Sequence, residues 1–219
     1  MKAMLLAAGR GERMGPLSAG IPKPLLQVGG VSLIERHVAR LKASGVVDIV
    51  INLSYRGAQI REHLGDGQRL GVSIAYSDEG EPPLETAGGI VQALSLLGPA
   101  PFVVVNSDIY TDFDFASLAA GSREPKLVLV PNPPHNPRGD FGVDAAGRVA
   151  AEPPLMTYAG IAVFTPRWFA SLERGRRPLK PLLDAAVARR EIDAVVFSGV
   201  WLDVGTPERL EDARRSAAK

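Results

Sequence analysis

The sequence contains no cysteine. That excludes disulfides, thiolate metal sites and a cysteine nucleophile. An excess of one charge sign is also lacking. The 25 lysines and arginines face 24 aspartates and glutamates, a formal net charge of +1, so composition gives no general attraction to nucleic acid or to a membrane surface. His37, His63 and His135 are the only three histidines. They are scattered without metal-ligand spacing, and His37 and His63 fall in helical patterns where a surface or half-buried place is expected. No apolar run is long enough to span a bilayer. The N-terminus lacks the basic start and apolar stretch of a secretory leader. A cytoplasmic protein without nucleic-acid or membrane partners is expected, as a monomer or small homo-oligomer. Internal repeats and low-complexity linkers are absent too. What remains is a chain of 219 residues, 46% hydrophobic, which suits a single domain over 1–219.

Strand-like and helix-like patterns alternate through the first half. Ala3 to Leu6 is long enough for one buried strand. Leu33, Ile34, His37, Val38 and Leu41 repeat at helical spacing, and Gly45 stands where such a helix ends. Strands are expected over 48–52, 72–76 and 102–105, and helices over 57–64 and 86–97. This alternation predicts an α/β, Rossmann-like, doubly wound and mostly parallel sheet flanked by helices. Its ligand belongs beyond the carboxyl ends of the strands. The second half differs. Strands over 127–130 and 158–164 flank a proline-rich loop at 131–137 and a small antiparallel hairpin of 141–143 with 148–150. Helices over 179–190 and 207–215 enclose one more strand at 195–197. The nucleotide-binding half is expected over about 1–125 and a sugar-binding half over about 126–219.

The first expected strand runs into Leu6-Ala7-Ala8-Gly9-Arg10-Gly11-Glu12-Arg13-Met14, followed by Pro22-Lys23-Pro24. Small residues and glycines let backbone N–H groups approach an anion, for which phosphate is the usual guest. Arg13 and Lys23 add two cations. The P-loop pattern fails because Ile21 follows Gly20 where a lysine is needed. The dinucleotide fingerprint fails because Met14 takes its third glycine position and the second strand ends in Asn52 rather than an acid.

L-A-A-G-x-G-x-R-M with P-K-P resembles the signature of the sugar-1-phosphate nucleotidylyltransferases. The stretch Gly199-Val200-Trp201-Leu202-Asp203-Val204-Gly205-Thr206-Pro207-Glu208 extends the resemblance to the far end of the chain. Enzymes of that family join a nucleoside triphosphate to a sugar 1-phosphate and release pyrophosphate. The resemblance implies that Leu6, Ala8, Gly9, Gly11 and Glu12 bind the nucleotide together with Arg13 and Lys23. Glu85, Thr86, Gly88 and Asn106 join them.

Asp108 lies just beyond the strand over 102–105, and Asp203 ends another short apolar stretch. Two such carboxylates can hold one Mg²⁺ between protein and phosphate oxygens, and both match metal-binding positions of the family. The alternative is that each caps a turn or helix, although Thr206 is better placed before Pro207. The reaction needs little proton traffic, because a phosphate monoester with a second pKa of about 6 is already ionised near neutrality. Alignment and charge neutralisation then suffice. Arg13, Lys23, Asp108 and Asp203 are the expected catalytic set. Arg13 is assigned to the β- and γ-phosphates, and Lys23 to the α-phosphate and the incoming phosphate.

Glu79 is either a loop charge or an acceptor for a base N–H of uracil, thymine or guanine. Leu84-Glu85-Thr86-x-Gly88-Gly89 and Arg138-Gly139-Asp140-Phe141 resemble the branch of the family that takes UTP and N-acetylmuramate α-1-phosphate, in cell-wall recycling. Glu152 is followed by Pro153, so the lysine that meets a sugar phosphate in most hexose enzymes is missing. By this resemblance Asp140, Ala159, Gly160 and Ile161 would contact the sugar. Gly15, Ser107 and Ala87 depart from the family pattern. A mannose-1-phosphate guanylyltransferase is the nearest alternative. Asp112-Phe113-Asp114, which resembles a glycosyltransferase metal motif or else caps a helix near Phe115, supports a more distant one. A catalytically silent nucleotide sensor would have lost Asp108 or Asp203.

Overall fold

The computed structural model describes residues 1–18, 20–119 and 125–218. In chain order the strands and helices are β1 (Lys2–Leu6), β2 (Gln27–Val28), β3 (Val31–Ser32), α1 (Leu33–Ala43), β4 (Asp48–Leu53), α2 (Gly57–Leu64), β5 (Ser73–Asp78) and α3 (Glu85–Leu97). They continue as β6 (Phe102–Asn106), β7 (Ile109–Thr111), β8 (Lys126–Val130), β9 (Gly142–Val143), β10 (Val149–Ala150) and β11 (Thr157–Phe164). The last are α4 (Lys180–Ala188), β12 (Asp193–Val196), β13 (Trp201–Asp203) and α5 (Pro207–Ala217).

One seven-stranded sheet has the order β12-β8-β11-β6-β1-β4-β5. β1 pairs in parallel with β4 and β6, as do β4 with β5 and β12 with β8, while β11 runs antiparallel to both neighbours. The sheet is therefore mostly parallel with a single reversed strand. The chain turns one way from β1 to β4 and β5, then crosses to place β6 on the other side of β1. The crevice at that reversal is where ligands bind in such sheets. Leu6 and Asn106 are paired neighbours there.

Alternate residues of the strands feed two cores. Ala3, Leu5, Ile49 and Ile51 pack with Ile34, Val38 and Leu41 of α1 and Ile60 and Leu64 of α2. Met4, Val50 and Val104 pack on the opposite face with Ile90 and Ala93 of α3 and Leu183 and Val187 of α4. A third cluster joins distant parts of the chain: Met14, Leu33, Val204 and Leu210 are buried together. The loop after β1 is thus pinned to α5.

Local signals explain the helix starts. Ser32 caps α1, its hydroxyl accepting from the Glu35 N–H at 3.3 Å, so the helix begins at Leu33 and Val31 and Ser32 remain strand. Thr206 caps α5 and Pro207 opens it. The expected hairpin is present as β9 and β10.

His37 departs from its expected surface or half-buried place. It is 2% exposed, because α1 lies flat on the sheet and its apolar face includes this position. Its Nε2 lies 2.9 Å from the carbonyl oxygen of Ile109, the first residue of β7. Burial pushes the imidazole down to about 4, more strongly than this hydrogen bond raises it. In the unfolded chain the same ring takes up a proton near its ordinary value, so stability falls as pH drops from above 6.5 towards 4. At about 1.4 kcal/mol per pH unit, wild type should lose about 2 kcal/mol between pH 7 and pH 5 from this group alone. Denaturant unfolding of wild type and His37→Gln at both pH values measures it. The variant should show a clearly smaller loss; an equal loss assigns the effect elsewhere.

Candidate active site

The loop after β1 lines a cavity of about 650 Å³ at the crevice, opposite the 79–86 segment and the end of β6. Leu6, Ala8, Gly9, Gly11 and Glu12 border it, as do Lys23, Glu79, Glu85, Thr86, Asn106 and Asp108. The fit of loop to lysine rests on one glycine. Gly11 has φ +67°, and a Cβ there would stand 3.1 Å from Lys23 Cγ. Lys23 lies along this loop, 8% exposed, and its Nζ donates to Asp108 Oδ2 at 2.6 Å.

Asp108 and Asp203 are brought to the same corner by backbone pairing. β13 runs antiparallel to β7 with Asp203 opposite Ile109, and the Val204 N–H donates to the Asp108 carbonyl at 2.9 Å. Asp203 is outside the cavity lining and is held by Arg209 Nη1 at 2.7 Å, with His135 Nε2 at 3.4 Å. Burial and the nearby Arg209 cation lower the His135 imidazole below its ordinary value, against the pull of Asp203. Arg13 is exposed and acts on the same imidazole, so it belongs to this corner rather than to the cavity lining. Asp203 does not cap α5; Thr206 does. Among the described residues no three His, Cys, Asp or Glu side chains gather as a metal cage. The two aspartates fit an oxygen-seeking cation that takes its other ligands from phosphate and water, as Mg²⁺ does.

Two polar ties went unread in the sequence. Asn52, 3% exposed, accepts from the Ala7 N–H at 2.7 Å and donates to Glu79 Oε1 at 2.7 Å. It stands at the end of β4, and a polar residue at that place was its available signal. Ser107, a departure from the family pattern, donates to the Leu6 carbonyl at 2.5 Å and so fastens β6 to β1. Glu79 accepts from Asn52 on one oxygen and from the Leu84 N–H at 2.7 Å on the other. Both oxygens brace the loop while the side chain still borders the cavity.

Glu85 has a left-handed backbone, φ +61°, a conformation that costs a residue with a Cβ about 1 kcal/mol or more. Its carboxylate meets Arg176 Nε at 2.7 Å. Arg176 comes from a charged run before α4 that carries no motif. That run is stitched to α3: the Arg177 N–H donates to the Leu84 carbonyl at 2.8 Å, and its own carbonyl accepts from the Ala87 and Gly88 N–H groups at 3.1 Å. Gly88 lies under this run, where a Cβ would stand 2.3 Å from the Gly175 oxygen. Its smallness makes room for this run, it borders neither cavity, and Ala87 is fully buried in α3.

A second cavity of about 430 Å³ shares Glu85, Thr86 and Asn106 with the first and adds Asp140, Phe141, Tyr158 and Lys180. Of the four expected sugar contacts only Asp140 borders it. Ala159 and Ile161 are fully buried, since they are interior positions of β11. Gly160 has φ +72° at the irregularity in β11 and makes room for Asn106, whose Nδ2 would lie 2.5 Å from a Cβ. Asp140 Oδ2 accepts from the Tyr158 N–H at 2.8 Å. The glycosyltransferase-like pair is occupied in other ways: Asp112 accepts from the Val200 N–H and Asp114 from the Ala116 N–H. Among the described residues no helix is long and apolar enough to cross a membrane.

A family profile described as nucleotidyl transferase matches residues 2–219. A protein of Neisseria meningitidis serogroup B named N-acetylmuramate alpha-1-phosphate uridylyltransferase is 47% identical, over 99% of this chain and 98% of its own. A mannose-1-phosphate guanyltransferase of Hypocrea jecorina is 31% identical over 95% of this chain and 62% of its own. The crystal structure of a putative glucose-1-phosphate thymidylyltransferase from Bacillus anthracis, in complex with sucrose, superposes with a TM-score of 0.86 at 23% identity, covering 99% of this chain and 95% of that one. That likeness is one of fold. With a glycine-bearing loop bordering the crevice after β1 and a match along nearly its whole length, the chain belongs to the nucleotidyl transferase family.

Proposed function

We propose that the protein transfers the uridylyl group of UTP to N-acetylmuramate α-1-phosphate, giving UDP-N-acetylmuramate and pyrophosphate. The observation that carries the two-substrate reading is the pair of cavities sharing Glu85, Thr86 and Asn106. The choice of uridine and muramate is supported by the Neisseria relative, whose identity well exceeds that of the guanyltransferase. The reaction is read as cytoplasmic and as serving reuse of cell-wall sugar, within a single domain over 1–219.

The nucleotide lies in the first cavity with its phosphates over the loop of 8–11, where backbone N–H groups receive them. Lys23 uses one donor on Asp108 and keeps others for the α-phosphate. Arg13 serves the β- and γ-phosphates from outside. The sugar sits in the second cavity, and its phosphate oxygen attacks the α-phosphorus as pyrophosphate leaves on the opposite side. No general base is needed at neutral pH. Asp108 and Asp203 would hold Mg²⁺, which when bound neutralises charge on the phosphates. Lys23 and Arg13 contribute by aligning the phosphates and offsetting the negative charge gathered there.

Asp108→Asn and Asp203→Asn should each lose most turnover, at least about 10²–10³-fold, while melting cooperatively. Near-wild-type rates with Mg²⁺ supplied would remove that residue from the site. Lys23→Ala should fall by a similar factor in kcat. Arg13→Ala should chiefly raise the KM for the triphosphate. Steady-state kinetics separate the two, and a Lys23 variant altered only in KM contradicts its place at the α-phosphate. For the substrates, pyrophosphate release from UTP or GTP with muramate or mannose 1-phosphate should favour UTP with muramate. A preference for GTP with mannose 1-phosphate makes the protein a guanylyltransferase.

A further inference from the structure

The second cavity contains one cation among its described lining residues, Lys180, at the start of α4. The same side chain borders a smaller adjoining cavity of about 400 Å³ together with Glu152 and Asp140. Glu152 is the residue after which the usual lysine is missing. Beside it, Lys180 supplies a positive charge from α4. Lys180 does not border the first cavity, where the phosphates react.

The Lys180 side chain is 69% exposed and its ammonium pairs within its own helix. Its Nζ lies 2.7 and 2.9 Å from the two oxygens of Asp184 one turn along α4. It also stands 5.5 Å from the centre of the Phe141 ring, on the opposite wall. An ammonium has three N–H donors, and Asp184 engages two. The carboxylates that border the second cavity are already engaged: Asp140 with the Tyr158 N–H, Glu85 with Arg176. A negative group on the sugar finds an available partner at Lys180.

We infer that Lys180 is a specificity-determining residue that pairs with a carboxylate carried by the sugar, so that the second cavity selects acidic over neutral sugar 1-phosphates. This rests on the reading of that cavity as the sugar site. A charge-assisted hydrogen bond discriminates against an analogue lacking the anion, which forgoes that contact while the cation keeps only Asp184. Asp184 acts as a positioning residue, holding the ammonium on the cavity side of the helix.

The test compares N-acetylmuramate α-1-phosphate with N-acetylglucosamine α-1-phosphate, which lacks only the lactyl ether and its carboxylate. With UTP saturating, kcat/KM is measured for wild type, Lys180→Met and Lys180→Arg. Lys180→Met should lose about 10- to 100-fold on the muramate substrate through KM, with kcat retained. Its value on the glucosamine substrate should stay within about twofold, and Lys180→Arg should recover most of the loss. UTP binding and melting temperature should stay at wild-type values. An equal fall on both sugars would assign Lys180 to the reacting phosphate or to the helix and overturn the inference. An unchanged ratio between sugars overturns it as well. A wild type without preference for muramate defeats the proposed substrate and this inference together. Preference kept in wild type and in Lys180→Met defeats the inference alone.

Discussion

Two negative charges at the ends of paired strands set the terms for everything around them. The β7–β13 pairing places Asp108 and Asp203 at one corner by backbone register alone, with no regard for their repulsion. Lys23 answers one and Arg209 the other. Lys23 is itself almost fully covered, and a covered ammonium without a partner is costly, so Lys23 depends on Asp108 for its place. The loop of 8–24 inherits its course from this. It must carry Lys23 back beneath Gly11 to reach β6, and Met14 is the apolar peg that keeps it there.

The frame behind these charges is polar and rigid. Asn52 ties the phosphate loop to the 79–84 loop, Ser107 ties β6 to β1, and the run before α4 ties the second cavity to the first through Leu84, Ala87 and Gly88. Each tie joins segments far apart in sequence. The walls of the two cavities are thus fixed relative to one another by the fold itself, which is what alignment-based catalysis requires.

Periodicity made most of the fold legible. β1, α2, β6 and the β9–β10 hairpin fall within a residue or two of their expected bounds, because each has an unbroken apolar run or a clear stop. The phosphate loop, Lys23, Asp108 and Asp203 were legible as a motif. The failures have a common physical cause. Ala159, Gly160 and Ile161 were expected, by resemblance, to contact the sugar, yet β11 is the reversed strand between two neighbours and these positions are buried in it. Gly88 was read in the same way, and its missing side chain makes room for another segment of the protein. A small residue signals close approach without naming what approaches. Asn52, Arg176 and His135 escaped because their importance lies in pairing across the fold, which one-dimensional spacing does not encode.

The burial of Met14 with Val204 and Leu210 has a consequence for biosynthesis. A ribosome delivers the loop after β1 nearly two hundred residues before its apolar seat is complete. Until β13 and α5 emerge, Met14 has only Leu26, Val28 and Leu33 to rest on, and Asp108 lacks the strand that brings Asp203 beside it. The central sheet can assemble early, but the reactive corner is closed only by the final helix.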